Sequence, residues 1–178
     1  MTDKIREIFN NEASAIKNIP VTKSFEDAIG IIHRQVHGKN GKLVTSGMGK
    51  AGQIAHNIAT TFSSTGTPAV FLHPGEAQHG DLGILQENDV MLAISNSGKT
   101  NEIVELIDLK NKLYPAIPLI VITGNENSPL AQKADCTILT GAPAEVCPLG
   151  LTPTTSTTVM TVIGDALVVQ MMGKIGFN

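Results

Sequence analysis

The chain has 178 residues, 42% of them apolar and 16% charged, with a net charge of -3. That length and balance fit one folded domain with a sizeable core and argue against a disordered chain. Nothing basic is clustered, aromatics make up 3% of the residues and Trp is absent, which argues against a nucleic-acid groove or a base-stacking surface.

The opening MTDKIREIFNNEASAIKN has no apolar stretch of the secretory type, and no run reads as long enough to span a membrane. Cys136 and Cys147 lack metal-type spacing and read as two reduced thiols of a cytoplasmic protein. Ile5, Phe9, Ala13 and Ile16, then Phe25, Ala28, Ile31, Ile32 and Val36, recur at helical spacing, so residues 1–40 are read as N-terminal helices. A regular alternation follows. KLVTSG is a buried strand, and a helix runs from about Lys50 to Ser64. TPAVFLH is the second strand. HPGEAQHGDLG is a Gly-rich loop with room for one helical turn. DVMLAIS is the third strand, with a helix from about Thr100 to Leu113. IPLIVITG is the fourth strand. NSPLAQKA is a short helix with Asn127 or Ser128 as cap and Pro129 in its first turn. CTILTG is the fifth strand, and residues 154–176 form a long C-terminal helix, apolar almost all round, which implies burial in a core or in an oligomer interface.

Apolar strands separated by helices predict an α/β fold, a doubly wound parallel sheet covered on both faces, within one domain spanning 1–178. Ligands of such sheets sit at the carboxyl ends of the strands. SGMGK, HPGEAQHGD, SNSGKT and TGNEN all fall there.

SNSGKT ends a strand and opens a helix, where unpaired N–H groups carry partial positive charge. A cap needs one hydroxyl; this loop has Ser95, Ser97 and Thr100, plus Asn96, with Gly98 allowing an anion close to the backbone. A phosphate cradle is the reading preferred over a simple cap. In SGMGKAG, Gly47, Gly49 and Gly52 match a dinucleotide fingerprint, but the acidic residue expected after the second strand is missing and His73-Pro74 stands there instead. Lys50 is either a solvated first-turn lysine or a positive charge facing the same ligand as the serine loop. HPGEAQHGD concentrates His73, Glu76, His79 and Asp81; a metal site, an acid/base pair and a capped surface loop all fit that composition. Glu145 is the one ionisable carboxylate near the start of the last helix, and the hydroxyl run from Thr152 to Thr158 is unusual for a helix entry.

GMGKAG, STGTPAVFLHPGEAQHGDLG, SNSGKTNE, ITGN and CPLGLTPTTSTT, in this order, resemble the sugar isomerase (SIS) domain of bacterial D-arabinose-5-phosphate isomerases. The resemblance runs from about Gly41 to Phe177. It implies a five-stranded SIS fold, a homotetramer with sites between subunits, and no cofactor. The implied activity interconverts D-ribulose 5-phosphate and D-arabinose 5-phosphate, feeding 3-deoxy-D-manno-octulosonate synthesis for lipopolysaccharide or capsule. Carried over by motif, Lys50, His79, Glu102 and Glu145 are catalytic. Ser46, Gly49, Gly66, Thr67, His73, Glu76, Ser95, Asn96, Ser97 and Thr100 bind substrate, and His73 is a position for inhibitory zinc. The sequence departs from the family in three respects. It has no counterpart of the two CBS modules, none of the HPGG-type segment beyond the last helix, and Lys99 stands where the family has glutamate. A non-catalytic phosphosugar regulator and an isomerase of another phosphosugar are the competing readings. Either Glu102 or Glu145 would be the base, with His79 moving oxygen protons or opening the sugar ring and Lys50 offsetting negative charge.

Overall fold

Five short runs of apolar and β-branched residues form the sheet of the computed structural model, which describes residues 1–178: β1 (Leu43–Gly47), β2 (Ala69–Phe71), β3 (Val90–Ile94), β4 (Leu119–Thr123) and β5 (Cys136–Leu139). All pair in parallel in the order β2-β1-β3-β4-β5, so the expected doubly wound α/β sheet is the observed one. Every residue of β1, β3 and β4 is buried, because helices cover both faces.

Alternation along the strands builds two cores. On one face Leu43, Leu92, Ile94, Ile120, Ile122 and Ile138 pack under α2 (Ser24–Ile32), α3 (Gly49–Ser64) and α7 (Thr155–Ile175). On the other, Val44, Met91, Ala93, Leu119 and Val121 pack under α5 (Asn101–Leu113), with α4 (Pro74–Ala77) and α6 (Pro129–Lys133) alongside. α1 (Thr2–Lys17) carries no buried residue and rests against α7.

Several boundaries differ from the sequence reading. The second strand is only Ala69–Phe71, since Pro68 and the turn at His73-Pro74 bracket it. α2 runs on into a π-helical segment, His33–Gly38, ahead of β1. The HPGEAQHGDLG stretch folds as α4 plus a 3₁₀ turn, Asp81–Ile84. Ser128, not Asn127, caps α6, its Oγ accepting from Ala131 N–H at 3.2 Å. Both cysteines are free thiols.

The reading that no segment could span a bilayer needs correction. By length and composition α7 could, and it is the one helix that could. Its face from Val159 through Met171 is buried on the sheet and on α3, where Gly164 allows an approach so close that a Cβ there would lie 2.4 Å from Ile58. That face joins α7 to one core of the domain, while the opposite face, with Val169, is exposed.

Candidate active site

At the carboxyl ends of β1 and β3 a cavity of about 530 Å³ opens between the loop after β3, the start of α3 and the segment leading into α7. It is lined by Lys50, Ser95, Asn96, Ser97, Thr100 and Glu145, six residues that the sequence proposed from three separate motifs. Their convergence follows from the parallel topology, which brings the strand ends to one edge.

The loop after β3 is held by its own hydroxyls. Ser95 Oγ accepts from Gly98 N–H at 3.1 Å and pairs with Thr100 Oγ1 at 2.9 Å. Ser97 Oγ accepts from Lys99 N–H at 3.2 Å. Gly98 sits at φ +63°, and a Cβ there would meet Ser128 Oγ at 2.0 Å, so only glycine fits the turn. Thr100 occupies the N-cap position of α5 but makes no capping bond, its hydroxyl being turned to Ser95. The helix therefore presents an uncapped, partially positive N-terminus beside the cavity. The neighbouring loop is stitched on by Gly124 N–H and Thr123 Oγ1, both donating to the carbonyl of Asn96.

In GMGKAG, Gly47 and Gly52 serve packing rather than a dinucleotide. A Cβ on Gly47 would come within 2.7 Å of the Ala51 carbonyl, and one on Gly52 within 2.6 Å of the Gly47 carbonyl. Gly49 turns at φ +59° and starts α3, which leaves Lys50 exposed in the first turn and on the cavity wall.

Glu145 is the carboxylate that lines the cavity. Its Oε2 accepts from Thr154 N–H (2.7 Å), Thr154 Oγ1 (2.9 Å) and Ser156 N–H (3.2 Å), and its Oε1 accepts from Ser156 Oγ. It thus caps α7 through the chain entering that helix. Partial burial pushes its carboxyl upward, but the four hydrogen bonds together outweigh burial and hold it below the ordinary glutamate value.

Other sequence candidates are not brought into this cavity. Ser46 is fully buried and donates to the Leu72 carbonyl at 2.7 Å, tying β1 to β2. Gly66 and Thr67 precede β2 and so lie at the opposite end of the sheet; Thr67 Oγ1 is paired with His37 Nε2 at 3.1 Å. His73 caps α4, with Nδ1 accepting from Gly75 N–H at 3.2 Å, and no cluster of three or more His, Cys, Asp or Glu converges on a metal position. Glu76 and His79 are exposed on and just after α4. α4 packs beside α5, where Gln78 Nε2 donates to Glu105 Oε2 at 2.9 Å. Glu102 is half-buried in the first turn of α5 and makes no hydrogen bond or ion pair. Ser156, Thr157, Met160, Gly150 and Leu151 also line the cavity and were not singled out. Of these, the hydroxyl run into α7 was the available signal for Ser156 and Thr157.

A parallel α/β sheet with a hydroxyl-rich loop at a helix N-terminus, a lysine and a held carboxylate around one cavity is the arrangement of a sugar-phosphate-binding domain. The chain belongs to the SIS domain family, whose model matches residues 37–170. It is 52% identical over 138 residues to the arabinose 5-phosphate isomerase KdsD of Escherichia coli O157:H7, a match covering 78% of this chain and 42% of the relative. The chain thus spans less than half the length of that relative. Among solved structures, it is similar to a protein of Bacteroides fragilis NCTC 9343 provisionally assigned as a phosphosugar isomerase involved in capsule formation. That pair shows 66% identity and a TM-score of 0.99 over 100% of this chain and 93% of the other. It is also similar to an E. coli CFT073 protein solved in complex with arabinose 5-phosphate, at 36% identity and a TM-score of 0.90, over 98% of this chain and 90% of that one.

Proposed function

We propose that the chain interconverts D-ribulose 5-phosphate and D-arabinose 5-phosphate through an enediolate. One observation carries the reading: a single cavity joins an uncapped, hydroxyl-rich helix N-terminus to a lysine and a carboxylate. The names of the KdsD relatives and the arabinose 5-phosphate complex of the E. coli CFT073 protein support the choice of sugar.

In this reading the phosphate rests on Ser95, Asn96, Ser97 and Thr100 and on the free amides at the start of α5. That anchoring holds C1 and C2 of the sugar against the opposite wall. Glu145 on that wall takes the C1 proton of ribulose 5-phosphate. The electron pair of the broken C–H bond forms the C1–C2 double bond, and charge collects on O2. Lys50 offsets that charge. The proton returns at C2, O2 gains a proton, and O1 loses one to become the aldehyde oxygen. Glu145 suits the base because its Oε1 carries one hydrogen bond, from Ser156, and keeps a lone pair free. The hydrogen bonds that lower its pKa also weaken it as a base, so it is the free lone pair and the place on the wall that recommend it. Neither Glu102 nor His79 lines this cavity in the single chain; their proposed part, moving the oxygen protons, requires the assembled subunits. The exposed apolar side chains Phe9, Leu149, Leu151 and Val169, 62–78% accessible, support an assembly of subunits, for which we propose the homotetramer, in the cytoplasm.

The test is to incubate the protein with ribulose 5-phosphate in deuterated water. The expected outcome is arabinose 5-phosphate labelled at C2. Binding of arabinose 5-phosphate without turnover or exchange would instead make the chain a phosphosugar sensor.

A further inference from the structure

Glu12 lies on α1, outside residues 37–170 that the family model matches, and the chemistry above does not use it. It is the residue through which α1 makes a side-chain hydrogen bond to the rest of the chain: its Oε1 accepts from Thr155 Oγ1 at 2.9 Å. Its other oxygen, Oε2, is buried with no hydrogen-bond partner, the one such atom in the molecule. Leaving a carboxylate oxygen in that state is costly. A cost of that kind points to a use for the bond made by the other oxygen, which also holds α1 against α7.

That bond continues into the cavity wall. Thr155 is 1% exposed, and while its hydroxyl donates to Glu12 it accepts from Val146 N–H at 3.1 Å. Val146 N–H belongs to the peptide unit that leaves Glu145, and a peptide unit is planar. Fixing the N–H therefore fixes the backbone of Glu145 on one side, while Thr154 and Ser156 hold its carboxylate on the other. Two glutamates grip successive residues of one helix entry, and both grips end at Glu145.

We propose that Glu12 is a positioning residue for the isomerase cavity: through the Thr155 hydroxyl and the Val146 amide it sets where the Glu145 carboxylate stands. The proposal rests on the reading of Glu145 as base, so the test carries one readout that needs catalysis and one that does not. The variants are Glu12→Ala, Glu12→Gln, Thr155→Val and the Glu12→Ala/Thr155→Val pair. Gln keeps an acceptor oxygen for Thr155. Glu12→Ala and Thr155→Val should each lower kcat about tenfold with KM within about twofold, since the phosphate loop is untouched and a small misplacement of a reacting group is costly. The double variant should be no worse than the poorer single, and Glu12→Gln should stay within about threefold of wild type. In hydrogen exchange, the Val146 amide should open faster in Glu12→Ala and not in Glu12→Gln.

A Glu12→Ala enzyme with unchanged kcat would overturn the proposal. So would an unchanged Val146 exchange rate alongside a lowered Tm, which would leave Glu12 a purely structural prop. If wild type fails to turn over ribulose 5-phosphate while Val146 exchange still responds to Glu12→Ala, the functional reading falls and the relay to the cavity wall stands.

Discussion

Two helices enter the cavity behind runs of hydroxyl residues, and they use them in opposite ways. Ahead of α7 the threonines and serine are consumed: Glu145 takes Thr154 and Ser156, and Glu12 takes Thr155. Ahead of α5 the hydroxyls bond only within their own loop, and no side chain caps the helix. Composition is nearly the same at the two sites. What differs is whether a carboxylate bonds the helix entry: Glu145 does so at α7, whereas Glu102, in the first turn of α5, makes no hydrogen bond. Where one does, the helix dipole is already answered by a fixed anion, and the entry becomes a rigid mount for the proposed base. Where none does, the dipole is left free to meet the phosphate of the proposed substrate.

The sharpest way to break this contrast is Glu145→Gln. The amide keeps the shape, and its oxygen still accepts from the α7 entry, but it cannot take a proton. Turnover should fall about 10²- to 10⁴-fold, the range of a lost general base, with loss of solvent exchange at C2. Full exchange in Glu145→Gln and none in Glu102→Gln would move the base to α5. The same carboxylate makes stability depend on pH. Its folded pKa is lowered, first against the pull of burial and then by bonds from Ser156 and Thr154. Its contribution is thus fully present above the ordinary glutamate pKa of about 4.3 and is lost as pH falls through the lower folded value. Thermal melts below about pH 4.5 should show that loss in wild type, and Glu145→Gln should lack this share of it.

Ser97→Ala tests the other side. A hydroxyl donating to a charged phosphate contributes about 1.5 kcal/mol, so KM should rise roughly tenfold with kcat little changed. The control is Ser128→Ala, which removes the true side-chain cap of α6. That variant should lose about 1 kcal/mol of stability and leave KM alone. If the two serines behave alike, α5 is merely another capped helix and the phosphate lies elsewhere.

The sheet, and the meeting of the loop after β3 with Lys50, were legible in the sequence because both follow from its strand and helix pattern. Apolar strands between helices dictate parallel pairing, and parallel pairing collects the strand ends. Ser95, Asn96, Ser97, Thr100 and Lys50 meet for that reason alone. The hydrogen bonding of Glu145 was not legible, because it depends on how residues 146–153 loop back onto α7. Glu12 was invisible for a stronger reason: its partner is 143 positions away, on another helix. Ser46 and Thr67 lie outside the cavity of the single chain, and in sequence a hydroxyl reads the same whether it faces a ligand or ties one strand to another segment.

Lys99 completes the comparison with the smallest effect. It is exposed and forms no ion pair, and it stands at the positive end of α5, where a cation opposes the helix dipole. The α7 entry shows what a glutamate does near such a position: it occupies the N-terminus. Lys99→Glu would bring a carboxylate to the edge of the cradle without the fixed mount that Glu145 has, so it would compete with phosphate only weakly. Exposed charges a few ångströms from a site act through screened attraction of well under about 1 kcal/mol. KM should rise by no more than about threefold, and the difference should vanish at about 1 M salt, where the screening length is only about 3 Å. A rise persisting at high salt would mean that Lys99 contacts the phosphate directly and that the cradle is built around a lysine, like the wall opposite with Lys50.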